Sequence, residues 1–225
     1  MAEPRSGRRP GRPGPDGPSA PDEETVLERG LMAFAELGYN GASARELARR
    51  LGVSHNFIHD RFGSKAAFWR AAVDRVLERQ ERERAAVMAR HEGDDAALLR
   101  AVARHFYRAM VETPFLGRAL TDEFHQESER VDYLYGSYIE PTLAAVSPSV
   151  DRLVAAGRMR PLPVELMYFT VIGPAAGSTQ RPLVDRLSGR PERSLEERLA
   201  DAERLADVVV DGLIAPPAAG SESSG

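Results

Sequence analysis

Cysteine is absent from the 225 residues, which excludes disulfides, thiolate nucleophiles and cysteine–zinc sites. That absence fits a reducing, cytoplasmic compartment. Lysine occurs once, at Lys65, so arginine carries almost all of the positive charge. No apolar run approaches the ~20 residues of a membrane span. The basic start MAEPRSGRRPGRPG lacks the apolar stretch of a secretory signal. Sustained period-2 alternation flanked by hairpin turns is missing too, which leaves little room for a sheet. With five histidines, no nucleophile elbow and no phosphate loop, the chain does not read as an enzyme. No cofactor and no metal are assigned to it.

The net charge is −4, but its distribution is uneven. Residues 1–90 carry 16 Lys and Arg against 13 Asp and Glu, and residues 91–225 carry 14 against 21. Within residues 41–70 the balance is 6 against 2, a local excess that suits a phosphate backbone.

Six prolines and four glycines in residues 1–21 predict a disordered basic arm. Residues 215–225 predict a disordered tail. Between them the apolar spacing is helical nearly throughout, which predicts an all-α chain of about nine helices. Helix 1 is expected over about Asp22–Leu37, stopped by Gly38. Ser43-Ala-Arg-Glu46 has the form of a capping box opening helix 2, and Gly52 closes that helix. Ser54 is expected to cap a short third helix, and Ser64 a long fourth one to about Arg90. Further helices are expected over about Asp94–Thr113, Phe115–Glu127, Arg130–Ala156 (kinked near Pro141 and Pro148), Val164–Leu187 (kinked at Gly173-Pro174) and Leu195–Ile214.

Ala48, Gly52, Val53 and Ile58 belong together. A helix-turn-helix needs a small residue where its helices cross, a turn with positive φ and apolar plugs that fix the crossing angle. Ala48, Gly52 and the Val53/Ile58 pair meet those needs in order. With these inside, residues near the start of helix 3 face outward, where a major groove can receive them.

The stretch FAELGYNGASARELARRLGVSHNFIHDRFGSKAAFW resembles the N-terminal domain of TetR-family regulators, with Gly38-Tyr39, Ser43, Glu46-Leu47-Ala48, Gly52-Val53-Ser54, Phe62 and Ser64-Lys65 at the family's positions. The resemblance runs from Glu24 to about Trp69. It implies an all-α homodimer with a three-helix DNA-binding domain at 22–68 and a helical effector-binding and dimerisation domain at 69–214. The last two helices would form the dimer face. The chain departs from the family at Asn56, Phe57, His59 and Asp60, so a known operator sequence does not transfer.

The expected DNA contacts are Ser43, Arg45, Ser54, His55, Asn56, His59 and Lys65. Asn56 suits a bidentate bond to adenine, and His55 or His59 a base edge. The others sit at helix starts and suit phosphates. Asp60 is expected to pair with Arg61 or accept from a cytosine amino group. Phe57 is a thymine-methyl contact or, preferably, half-buried. The Arg8–Pro13 segment loosely resembles a minor-groove hook, with a merely flexible leader as the simpler alternative. His105, Phe106, Phe124, His125, Tyr138 and Tyr168 are the candidate ligand-binding residues. The alternative for each is ordinary core. Asp122 and His125, at i and i+3, have a metal-compatible spacing but read better as surface. The function expected is a transcriptional regulator, a repressor, that binds a palindromic double-stranded DNA operator and is released by a small, largely hydrophobic effector. The alternative is a ligand-independent, nucleoid-type DNA-binding dimer.

Overall fold

The computed structural model describes residues 22–190 and 192–214. The expected arm at 1–21, with its Arg8–Pro13 segment, and the tail at 215–225 lie outside them. The described residues are all-helical, with one isolated antiparallel bridge between Met159 and Ile214 and no strand.

Three helices come first: α1 (Glu23–Gly41) and the shorter α2 (Ala44–Leu51) and α3 (Phe57–Phe62). Asp22 starts α1 by accepting from the Thr25 amide at 2.7 Å, which satisfies one of its free N–H groups. The helix breaks at Gly38 (φ 68°) and α2 ends at Gly52 (φ 68°), backbone angles that a side chain disfavours. The Ser43 hydroxyl accepts from the Glu46 amide at 3.2 Å. The other half of that expected capping box does not form, because the Glu46 carboxylate bonds Arg49 and Arg50 instead. A complete box appears at Ser194 and Glu197, where the sequence reading had none. Ser54 does not cap α3: the chain turns through Ser54–Asn56, the Phe57 amide donates to the Ser54 carbonyl, and the helix begins at Phe57.

Ser64 caps α4 (Lys65–Ala89), whose 25 residues span about 37 Å. Its first turns bury Phe68, Trp69, Ala72, Val73 and Val76 with Val26, Leu31, Phe34, Leu47, Leu51 and Ile58. Leu116, Ala119 and Leu134 join the same cluster, so it extends beyond the three-helix head.

The rest comprises α5 (Asp95–Glu112), α6 (Pro114–Phe124), α7 (Glu129–Leu134), a π turn (Tyr135–Ile139), α8 (Glu140–Ala155), α9 (Val164–Ser178), α10 (Arg181–Ser188) and α11 (Leu195–Leu213). The expected single helix over Arg130–Ala156 is continuous but widened at the π turn. Pro141 has no N–H for the Ser137 carbonyl, and Glu140 donates five residues back to Tyr135. The expected helix over Val164–Leu187 divides instead. Pro174 sits inside α9, and the break falls at Thr179–Gln180, after which Pro182 occupies the first turn of α10.

A second buried cluster joins α5, α8, α9 and α11 through Ala103, Tyr107, Leu153, Ala175, Ala202, Ala206 and Val210. Along the α5–α11 seam Arg100, Arg104 and Arg108 pair with Asp211, Asp207 and Glu203 at 2.6 Å each. Both sets repeat every four residues, so each falls on one helix face, and the reversed order fixes an antiparallel register.

Candidate DNA interface and effector cavity

Leu47, Ala48 and Leu51 of α2 and Ile58 of α3 are buried, while Val53 is half-buried in the turn between them. This apolar crossing leaves Ser54, His55, Asn56, His59 and Asp60 exposed. Ser43 and Arg45 are exposed at the start of α2. Six of the seven expected DNA contacts are therefore open to solvent. His55 and Asn56 precede α3 rather than lie on it, and their side chains meet at 3.2 Å. The His59 ring lies 3.0 Å from the Gly63 carbonyl at the end of its own helix. Phe57 is half-buried against Phe62.

The basic residues of the head divide by partner. Arg49 and Arg50 are held by Glu46, and those bonds pull the Glu46 carboxyl down to about 2. Arg61 pairs with Glu23 of α1, not with the neighbouring Asp60 that the sequence suggested. Arg45 enters no ion pair among the described residues. Lys65 is half-buried. Its ammonium donates to the Tyr39 carbonyl at 3.0 Å and lies 4.2 Å from the centre of that ring. Burial, with the nearby Arg130 charge, pulls the Lys65 pKa down. The Arg130 guanidinium also lies over Tyr39, at 3.7 Å, and is bonded to the buried Glu123 at 2.7 Å. Two cations on one ring thus tie the end of α1 to α4 and α7.

A cavity of about 330 Å³ lies behind the head, walled by α4, α5, α6, α8, α9 and α11 and by the π turn. His105, Phe106, Phe124, Tyr138 and Tyr168 line it. His125 does not: its ring bonds the Thr121 carbonyl at 2.7 Å, one turn back, and the residue is exposed. No three His, Asp or Glu side chains converge on a metal-sized site among the described residues, and Asp122 and His125 gain no third ligand. Burial raises the Tyr168 hydroxyl pKa. Tyr138 donates to Asp74 of α4 at 2.6 Å, and burial raises its pKa strongly.

Sequence reasoning missed the α4 part of the wall: Leu77, Gln80, Glu81 and Arg84. The run Glu78-Arg79-Gln80-Glu81-Arg82-Glu83-Arg84 reads as a solvated face, and Arg84 is nonetheless 9% exposed. The available signal was the spacing i, i+3, i+4, i+7, which puts these four on one side of α4. Among the described residues no helix is long and apolar enough to cross a membrane.

Residues 26–72 match the family model described as bacterial regulatory proteins, tetR family. An uncharacterised HTH-type transcriptional regulator of Bacillus subtilis is 37% identical over 71 residues, which is 32% of this chain and 35% of that protein. The chain thus matches about a third of that curated relative's length. Over the whole fold, a protein described as a Clostridium perfringens fatty acid metabolism regulator superposes with a TM-score of 0.66 at 16% identity, covering 85% of this chain and 100% of that one. A TetR family transcription regulator from Marinobacter aquaeolei gives 0.64 at 19% identity, covering 85% and 95%. The transcriptional regulator FadR of Bacillus subtilis, in complex with stearoyl-CoA, gives 0.60 at 13% identity, covering 85% and 100%. Residues 26–72 thus form a helix-turn-helix unit of the tetR-family type, and the fold of the described residues is that of solved TetR family transcription regulators.

Proposed function

We propose that the chain is a cytoplasmic, homodimeric repressor that reads a palindromic operator and is released by a small, largely apolar effector. The exposed turn and helix from Ser54 to Asp60, carried on the buried crossing of Ala48 and Ile58, is the observation that carries the DNA half. Asn56, His55 and His59 are assigned to base edges, and Ser43, Arg45, Ser54 and Lys65 to phosphates. The head spans 22–68, and the remainder to residue 214 binds the effector and the second copy.

Two features support the effector half. The cavity wall is overwhelmingly apolar. Tyr138, on that wall, is hydrogen-bonded to the helix that also supplies Phe68 and Trp69 to the head. A ligand that favours another placement of Tyr138 therefore biases α4 and the separation of two heads. Only the stearoyl chain of the stearoyl-CoA bound to the FadR neighbour supports this reading, as an instance of an apolar ligand portion on the same fold. For the dimer, Val164, Leu166 and Phe169 of α9, Leu183 and Leu187 of α10, and Val208 of α11 expose large apolar side chains, Phe169 at 65% and Leu187 at 79%. Apolar surface of this kind on the last helices suits an isologous interface.

The test is a genome-wide binding map followed by footprinting and light scattering. A protected palindrome with two half-sites about 10 bp apart, bound by a dimer, is expected. A monomer on DNA, or no protected palindrome anywhere, overturns the reading.

A further inference from the structure

The bonding of the cavity wall narrows what the effector can be. Among the described residues, Glu81 and Arg84 are the fully charged side chains on the wall, and they bond each other, Arg84 Nε donating to Glu81 Oε2 at 3.3 Å alongside a second bond from Nη2. The Arg84 guanidinium is buried and already neutralised. A ligand carboxylate or phosphate would meet a guanidinium whose charge Glu81 already balances, so it would place a second anion beside Glu81 or compete with it. A ligand ammonium meets the same closed pair. Several of the wall's other polar groups are also committed: Thr113 Oγ1 donates to the Ala109 carbonyl at 2.7 Å, Thr121 Oγ1 to the Gly117 carbonyl at 2.8 Å and Tyr138 to Asp74, and His105 Nε2 lies 3.3 Å from the Gln80 carbonyl.

Gln80 differs. Its side-chain Oε1 is buried and has no hydrogen-bond partner among the described residues. A buried acceptor without a donor is unfavourable and uncommon. The residue lies one helical turn before Arg84 and is itself part of the cavity wall.

We infer that the cavity takes an uncharged, largely apolar molecule with one hydrogen-bond donor, and that Gln80 receives that donor. The inference deepens the effector reading above and rests on it. It also separates this chain from a receptor for an ionised acyl derivative, since the ionic pair offers no free cation.

Calorimetry on the full chain tests this with four ligands of matched length: decan-1-ol, methyl nonyl ether, decanoate and decylammonium. Decan-1-ol is expected to bind about fivefold more tightly than the ether, the worth of one net hydrogen bond. Both ions are expected to bind at least about tenfold more weakly than the alcohol. Gln80→Leu is expected to erase the alcohol–ether difference while the ligand-free melting temperature holds or rises. Gln80→Met serves the same purpose if the leucine variant does not fold. Decanoate or decylammonium binding as tightly as the alcohol overturns the uncharged class and leaves the effector reading standing. A Gln80 variant that keeps the alcohol preference overturns the role of Gln80. No heat from any of the four overturns the inference together with the effector half of the proposed function.

Discussion

One carboxylate oxygen of Asp74 accepts from two tyrosines, Tyr138 at 2.6 Å and Tyr133 at 2.7 Å. Asp74 is on α4, Tyr133 on α7 and Tyr138 in the π turn, so a single atom joins two consecutive pieces of chain to the helix that enters the head. Tyr138→Phe leaves the ring on the cavity wall and removes one donor. The variant is expected to lose about 1.5 kcal/mol of stability, the lower end for a hydrogen bond to a charged group. Its operator affinity without effector should hold, while more effector is needed for release. Denaturant melts and a release titration check both halves, and an unchanged titration midpoint removes Tyr138 from the coupling.

Gly30 faces Phe68 closely: a Cβ there would lie 2.4 Å from the ring's Cζ. Phe68 is fully buried, so the ring has little freedom to retreat. Gly30→Ala gains about 1 kcal/mol of helix propensity. The overpacking costs about 1–3 kcal/mol, and we expect the net effect to be destabilising. Thermal unfolding measures it, and pairing the change with Phe68→Leu should recover part of the loss. A more stable Gly30→Ala protein would show that α1 can shift away from α4.

The depressed Glu46 pKa has a defined direction. The folded value of about 2 lies below the usual 4.5, so the ionised group favours the folded head fully above 4.5 and loses that effect as pH falls toward 2. Glu46→Gln removes this acid-side slope and frees Arg49, while Arg50 keeps its bond to Glu36. Stability followed between about pH 5 and pH 2 should therefore decline less steeply in the variant. Parallel curves would mean that the Arg49 and Arg50 bonds persist in the unfolded chain.

Arg45 and Arg49 are close in sequence but differ in commitment. Arg45 enters no ion pair among the described residues, and Arg49 is bonded to Glu46 at 2.6 and 2.9 Å. Arg45→Ala is expected to weaken binding to any DNA sequence and to lower the salt slope by about one per site contacted. Arg49→Ala should do much less. Asn56→Ala, by contrast, should cost about 1–3 kcal/mol on the preferred sequence and relax discrimination at one base pair. Titrations at several salt concentrations separate the three, and equal slopes for wild type and Arg45→Ala would remove Arg45 from the phosphate contacts.

The head was legible because local rules act within it. Helical spacing placed Leu47, Ala48 and Leu51 inside, and the positive φ at Gly38 and Gly52 follows from glycine at helix ends. Partner choice was less legible. Glu46 had two arginines within four residues and took them in place of its cap, while Arg61 reached Glu23, 38 residues away. Proline reads as a breaker, yet α9 runs through Pro174, where one missing N–H is tolerated in a packed helix. Five of the six candidate cavity residues are aromatic or histidine side chains on the wall. Gln80 and Arg84 were hidden, because a charged run looks solvated until a neighbouring helix closes over one side of it.

The solitary lysine has a consequence for chemistry at the bench. An amine-selective reagent finds two kinds of target on this protein, the chain's α-amino group and the Lys65 ammonium. The second is lodged against Tyr39, between the end of α1 and the start of α4. Its rate of acylation is therefore a clock for the opening of that seam, with no engineered label and no competing side chain. Ligands or DNA that hold the head closed should slow the clock, and anything that parts α1 from α4 should speed it.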